Sequence, residues 1–310
     1  MTLVIPGTDS PLVDGETVLL LDRKKRRYLL QLDAGKEWHS HAGALQHDDL
    51  IGNVEGTTVR TNKNMELIAL RPTRDDLTKK LPRGAQVIYP KDQAMIVASA
   101  DVIPGCTVVE AGAGSGALTT ALLAAVGPTG RVISAELRDD HADIAVKNVT
   151  RAHNGVAPEH WELRRGSVGD LLADVRAHRV ILDLLDPWSW VDGAATCLAP
   201  GGILLAYMPS ITQVMRLAET LFADGRWTDL NTTETLVRGW DVDGLAVRPQ
   251  HRMVAHTAFL MTARRVPTRD EGGPPTPRRK ADTQASRIIW HDDAPDPDAD
   301  ERPVHVDGRS

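Results

Sequence analysis

Cysteine is nearly absent from this chain, with two residues, Cys106 and Cys197, in 310. That count excludes a disulfide framework and a cysteine-rich zinc site. Long apolar runs are missing too, and no stretch approaches the roughly 18 to 20 residues that cross a bilayer. The N-terminus, MTLVIPGTDSPLVDGE, lacks a basic segment followed by an apolar core, so a signal peptide is not expected. A cytoplasmic protein is the expectation. Aromatic residues make up 4% of the chain and only three are tyrosines. A tyrosine in a polar setting therefore draws interest as a stacking or hydrogen-bonding group. Excess positive charge is lacking as well. The formal net charge of −6 argues mildly against a nucleic-acid partner, but net charge does not say where the charges lie.

What is present is ordinary for a soluble globular protein, at 42% hydrophobic and 25% charged residues. The composition shifts at residue 268. From there to the end the chain holds GGPPTPRRK and DDAPDPDADERP and reads as a disordered tail. The tail has seven basic and ten acidic residues, so it supplies half of the net charge. Its short apolar island, residues 287–290, is a candidate docking motif or a chance cluster. Residues 1–72 read as a small β-rich domain, with strands expected near 17–21, 28–32, 57–60 and 66–70. A helix near 73–81, with Thr73 as N-cap, leads into a larger domain spanning 73–267. There strands near 107–110, 131–135, 161–165, 180–184 and 202–207 alternate with helices near 116–126, up to 152, 191–198 and 211–223. Late strands are expected near 232–239 and 255–263. Alternating β and α predicts an α/β fold with a mostly parallel sheet covered on both faces.

Five motifs carry chemistry. The first is VVEAGAGSGAL, residues 108–118, where Glu110 precedes Gly112, Gly114, Ser115, Gly116, Ala117 and Leu118. Glycines between a strand and a helix let a ligand approach the backbone closely. The spacing satisfies the dinucleotide fingerprint and equally fits the nucleoside-binding loop of S-adenosylmethionine enzymes. The second is Glu136 at the end of the next strand, where a carboxylate can accept hydrogen bonds from both ribose hydroxyls of either cofactor. His141, five residues on, either reaches the cofactor or lies on the surface. The third is LDLLDPW, residues 182–188, whose Asp183 and Trp188 close the fourth strand of the sheet, where open α/β sheets bind ligands. The fourth and fifth, VIYPKD and AYMPSITQV, supply Tyr89 in a Pro-containing turn and Tyr207 at the end of the fifth strand. None of the eleven histidines forms an obvious metal-ligand spacing, and no metal is expected.

Together with HDDLIG, ALRPTRDD, HTAFL, Arg238-Gly-Trp240 and Ala246-Val-Arg248-Pro, these motifs span roughly residues 15 to 265. In that order the chain resembles the bacterial TrmI-type tRNA methyltransferases, which act on N1 of adenine 58. The resemblance implies a class I S-adenosylmethionine-dependent methyltransferase domain (Rossmann-like) behind a small N-terminal β domain, and a homotetramer. It implies that Asp183 is the catalytic carboxylate, with Tyr89 and Tyr207 near the target base. Ser115 to Leu118 and Glu136 would contact S-adenosylmethionine, with His141 a further candidate. The family often places an acid after the third strand for the cofactor's adenine amine. Here that place reads Gly166-Ser167-Val168, so Ser167 or Asp170 would make the contact. Basic clusters at 23–27, at Lys79, Lys80 and Arg83, and at Arg164-Arg165 are candidate phosphate contacts for tRNA. Trp188 joins the tyrosines as a candidate stacking surface. Two alternatives stand beside this reading: an NAD-dependent oxidoreductase using the same loop, and a non-catalytic tRNA-binding module. The chain shows no recognisable proton-relay dyad beyond the loop, which disfavours the first.

Overall fold

The computed structural model describes residues 6–41, 43–80, 87–169 and 174–273. Asp170, Arg83 and nearly the whole tail, with its 287–290 island, lie outside the described residues. The first strands are β1 (Thr17–Asp22), β2 (Arg27–Gln31), β3 (Glu37–Ser40), β4 (Gly43–Gln46), β5 (Thr58–Arg60) and β6 (Glu66–Leu70). Four of them form an antiparallel sheet in the order β2-β1-β6-β5, while β3 and β4 pair as a separate hairpin. Leu12, Val18, Leu20, Leu30, Leu45, Leu50 and Leu67 fill the core of this region. Arg71 is buried against it. Its guanidinium donates to Glu16 at 2.6 Å and to the carbonyls of Ser10 and Pro11, so the charge is both paired and hydrogen-bonded.

Helix α1 (Arg74–Lys80) starts where Thr73 and Asp76 cap each other: the Asp76 amide donates to Thr73 Oγ1, and the Thr73 amide to Asp76 Oδ2. Then follow α2 (Pro90–Ser99), β7 (Thr107–Ala111), α3 (Ala117–Val126), β8 (Arg131–Glu136), α4 (Asp139–Ala152), β9 (Trp161–Arg165) and β10 (Ala177–Leu182). A 3₁₀ turn (Pro187–Trp190), α5 (Val191–Cys197), β11 (Leu198–Met208), α6 (Ile211–Asp224) and β12 (Trp227–Glu234) come next. The hairpin β13 (Trp240–Asp243) and β14 (Ala246–Pro249) precedes the last strand, β15 (Phe259–Arg265).

The central sheet has the order β12-β15-β11-β10-β7-β8-β9. Neighbours from β11 through β9 run parallel, and β15 inserts antiparallel between β11 and β12. Alternate residues face opposite sides, so two cores form. Val109, Ile133, Val180, Leu182 and Leu204 line one, under α5 and α6. Val108, Val132, Ile181, Ile203 and Leu205 line the other, with α2 and α3. This is the α/β fold with a mostly parallel, doubly covered sheet that the alternating pattern predicts, and it agrees with the Rossmann-like domain that the resemblance implies.

Some elements depart from the sequence expectations. Tyr89 does not sit in a simple turn. It is the N-cap residue of α2, with Pro90 at the first helical position. The two late strands begin elsewhere, at Trp227 and Phe259, because residues 235–258 form an insertion carrying the β13–β14 hairpin. That hairpin is solvent-exposed nearly throughout, so it has no buried face to produce a period-2 hydrophobic signal. Its Gly244-Leu245 turn, with glycine first, is the sequence feature that marks it. No helix among the described residues is long and apolar enough to cross a membrane.

Candidate active site

The glycine loop leaves the C-terminal end of β7, and backbone hydrogen bonds stitch it into place. Gly112 N donates to Ala135 O at 2.9 Å, and Asp183 N donates to Ala111 O at 2.9 Å. The second bond sets the first residue after β10 directly beside the loop. Gly112 has φ +90°, and a Cβ there would stand 2.3 Å from the Asp183 carbonyl oxygen. Gly116, at φ +75°, starts α3, and its missing Cβ leaves room for Val149 and Ala145 of α4. Two glycines are thus required by close backbone approach as well as by conformation. Ser115 is buried, and its carbonyl accepts from Asn148 Nδ2 at 2.9 Å. Ala117 and Leu118 form the buried first turn of α3.

Three carboxylates surround this loop. Glu110 is fully buried. Its Oε2 accepts from Thr119 Oγ1 and Ser134 Oγ, both at 2.6 Å, and Trp161 Nε1 donates to that serine at 3.0 Å. Glu110 therefore braces α3, β8 and β9 beneath the loop, and its Oε1 has no partner among the described residues. Glu136 accepts from Gly114 N at 2.9 Å and from Arg138 N at 3.0 Å, so it organises the loop from the end of β8. Asp183 is half-buried. Burial and the neighbouring Glu136 raise its carboxyl from the ordinary range to about 7. Burial, with Asp183 and Glu136 nearby, also raises Glu110 to about 7. Among the described residues no Lys or Arg forms an ion pair with any of the three. The arrangement is an anionic cradle lined by open backbone, suited to a cationic nucleoside ligand.

This gives a testable pH dependence. A carboxyl whose pKa is higher folded than unfolded stabilises the fold at low pH, and that contribution is lost as pH rises through the folded value. The ligand-free protein should lose stability between about pH 4.5 and 7. Glu110→Gln keeps the acceptor for Thr119 and Ser134 but removes the titration. Melting temperatures measured across this range should fall less steeply in the variant; an unchanged slope would contradict the assignment.

At the far side of Asp183, β11 lies next to β10 in a register that pairs Leu182 with Ala206. Tyr207 is therefore adjacent to the Asp183 position. The tyrosine is buried, with Thr257 near its hydroxyl. Burial, with Asp92, Asp183 and Tyr89 nearby, pushes the hydroxyl pKa well above the usual range. It is a neutral hydroxyl at any physiological pH, not a base. Tyr207 thus has both Asp183 and Tyr89 near it.

Other expected residues fall differently. Trp188 packs against the core, and the Arg216 guanidinium lies 4.2 Å over its ring, so one face is already covered. His141 is half-buried in the first turn of α4. Ser167 follows β9 and is held beside Glu136 because Gly166 N donates to Glu136 O at 2.9 Å. Most of the basic clusters are ion-paired. Arg23 pairs with Glu66, Arg26 with Asp22, Arg27 with Asp76, Lys79 with Asp75, Arg164 with Glu162 and Asp174, and Arg165 with Asp139 and Asp143. Sequence reasoning quoted YPKD and HTAFL without giving Lys91, Asp92 and Thr257 a role. In the structure they form one buried cluster behind Tyr207. His256, beside them, places its ring nitrogens 2.7 Å from Glu234 Oε1 and 2.9 Å from Pro209 O. Two acceptors facing both nitrogens favour the doubly protonated ring, and they raise its pKa.

Comparison with known proteins agrees with this geometry. Residues 67–248 match the family described as tRNA methyltransferase complex GCD14 subunit, and residues 11–59 match TrmI-like N-terminal. The tRNA (adenine(58)-N(1))-methyltransferase TrmI of Thermus thermophilus is 38% identical over 248 residues, covering 80% of this chain and 96% of the relative. The tRNA (adenine(57)-N(1)/adenine(58)-N(1))-methyltransferase TrmI of Methanocaldococcus jannaschii is 34% identical over 269 residues, covering 79% of this chain and 94% of the relative. The crystal structure of tRNA (m1A58) methyltransferase TrmI from Aquifex aeolicus superposes with a TM-score of 0.71 at 25% identity, covering 84% of this chain and all of that one. A SAM-dependent O-methyltransferase from Thermotoga maritima superposes at 0.76 with 27% identity, covering 87% and 96%. The seven-stranded sheet, the stitched glycine loop and these matches across both regions place the chain in the GCD14/TrmI methyltransferase family.

Proposed function

We propose that this protein transfers a methyl group from S-adenosylmethionine to N1 of adenine 58 in the T-loop of tRNA. The observation that carries the reading is the adjacency of two half-sites. An anionic, glycine-walled cradle suited to a sulfonium nucleoside abuts a pocket made by Asp183, Tyr207 and Tyr89. The O-methyltransferase superposition shows that the fold alone does not choose the acceptor atom. The choice falls to that pocket and to the relatives that share its motifs.

Bound in the cradle, S-adenosylmethionine supplies a methyl carbon on cationic sulfur. Gly112, Gly114 and Gly116 give it open backbone, with Ser115, Ala117 and Leu118 lining the approach. Glu136 is assigned to the ribose hydroxyls, Ser167, next to Gly166, to the adenine end, and His141, in the first turn of α4, to the cofactor as a further contact. Adenine N1 is a neutral lone pair near pH 7, so no base must act first. Positive charge moves onto the purine ring during transfer. Asp183 accepts a hydrogen bond from the exocyclic amine and stabilises that charge. The reacting base leaves its stack to reach the pocket, where Tyr89 and Tyr207 hold it. Titration calorimetry with S-adenosylhomocysteine and with NADH tests the cofactor assignment. Binding of the first alone supports it, and tight binding of NADH alone overturns it in favour of an oxidoreductase.

The functional form is read as a homotetramer. Trp240, Val242, Leu245 and Val247 expose apolar side chains on the β13–β14 hairpin, and Leu245 is fully exposed. Monomers rarely leave such a patch open. Further copies of this chain would cover it through self-complementary contacts. Replacing Val242 and Leu245 with Asp should convert a tetramer into smaller species in native mass spectrometry; a wild-type monomer would contradict the assembly. Phosphate contacts are assigned to Lys24, Lys25, Lys80, Arg238 and Arg252, which are among the cations that make no ion pair among the described residues.

A further inference from the structure

Two adjacent residues at the end of the 235–258 insertion bind two different segments of the chain. His256 Nε2 lies 2.9 Å from the Pro209 carbonyl. A carbonyl only accepts, so the ring donates, and the bond falls two residues past Tyr207. Thr257 Oγ1 donates to Asp92 Oδ2 at 2.7 Å and accepts from Lys91 Nζ at 2.7 Å. Lys91 also donates to Asp92 Oδ1 at 2.7 Å and to the carbonyl of Thr235, where the insertion begins, at 2.8 Å. The Asp92 amide donates to the Tyr89 carbonyl at 2.9 Å. Hydrogen bonds therefore lead from the Tyr89 backbone to both ends of the insertion, and from its last residues to the turn after Tyr207. The two segments also share apolar packing, since Ile88, just before Tyr89, lies in the same core cluster as Tyr207.

The ion pair at the centre of this run is expensive to desolvate. Asp92 is wholly buried and Lys91 nearly so. Apolar residues of similar volume would pack there without that cost, so stability alone does not account for the pair. What apolar residues would not supply is a fixed point: an ammonium with three directed bonds holds Thr235, Thr257 and Asp92 in one arrangement. We infer that His256 and Thr257, held by Lys91 and Asp92, staple the Tyr89 and Tyr207 segments together and set the spacing of the slot that takes the target adenine. This rests on the adenine-N1 reading above. None of the four touches substrate or cofactor in this account; they are positioning residues. The cofactor cradle is built on the ends of β7, β8 and β10 and shares none of these bonds, so the staple acts on base capture and not on cofactor binding.

Thr257→Val keeps the shape and removes the hydroxyl that joins the two arms. It should lower the single-turnover rate at saturating tRNA about 10- to 100-fold, the cost of misplacing a reacting group by about 1 Å. S-adenosylhomocysteine affinity should be unchanged, and Thr257→Ser, which keeps the hydroxyl, should restore the rate. His256→Leu cuts the other arm at an exposed residue and carries the same test if Thr257→Val does not fold. The decisive readout is coupling. In a Tyr89→Ala background one wall of the slot is gone and no spacing remains to be set. There, either substitution should change the single-turnover rate, followed over hours, by less than about 2-fold. A merely structural role predicts the same penalty with and without Tyr89, or a parallel loss of cofactor affinity. Either result, or an unchanged rate in both variants, overturns the inference. Wild-type protein that binds S-adenosylhomocysteine but methylates no adenine-containing tRNA instead overturns the underlying reading.

Discussion

Asp183→Asn slows methyl transfer by about 10²- to 10³-fold, the cost of removing one preorganised electrostatic stabiliser. The substitution keeps size and backbone, so the Asp183 N to Ala111 O bond that fixes the loop is untouched. Asn can still accept a hydrogen bond from the amine through its carbonyl, but it carries no negative charge to meet the positive charge growing on the ring. The loss should therefore appear in the single-turnover rate at saturating tRNA, with cofactor affinity changed far less. The pH profile supplies an internal check. Asp183 must be ionised to act, and its carboxyl sits at about 7 in the ligand-free protein. The wild-type kcat/KM should rise with pH through that region. In the variant this rise should be absent. Full-rate transfer by Asp183→Asn would remove the carboxylate from the mechanism.

Gly112→Ala abolishes measurable cofactor binding under conditions that saturate the wild type. The added Cβ would lie 2.3 Å from the Asp183 carbonyl oxygen, which is backbone and cannot swing aside. The φ of +90° adds strain for any residue with a Cβ. Relief requires the loop and the β10 end to separate, displacing the cradle and Asp183 together. A displacement near 1 Å at a reacting centre costs about 10²-fold, and here two partners move. Gly127→Ala is the matched control. Gly127 also has positive φ, +63°, but nothing lies within 4 Å of its Cβ position. It should lower the melting temperature modestly and leave S-adenosylhomocysteine affinity intact. Equal effects of the two substitutions on affinity would show that conformation, not the close approach to Asp183, is what the loop requires.

The inner strands β7, β8, β10 and β11 were legible because they are largely buried on both faces and read as short apolar runs between glycine and polar turns. The glycine loop, Glu136, Asp183 and Tyr207 were legible for a related reason: they sit at strand ends, where this architecture gathers ligands. The β13–β14 hairpin was not, since exposed strands carry no burial pattern. Nor were the partners of the arginines. Arg165 meets Asp139 and Asp143 only because β9 lies beside the start of α4, so a basic pair in sequence became an ion-paired surface in space. The Lys91–Asp92–Thr257 cluster joins residues 166 positions apart. A Lys-Asp pair beside a tyrosine reads in sequence as a polar turn. Its meaning depends on the long insertion that returns Thr257 to the same place.

The most direct test of the central claim is mass spectrometry of nucleosides from tRNA lacking T-loop methylation, after incubation with the protein and S-adenosylmethionine. The account predicts N1-methyladenosine, mapped to position 58 and lost when that adenine is replaced. Absence of N1-methyladenosine from protein shown to bind S-adenosylhomocysteine, or methylation of a different atom, would contradict it.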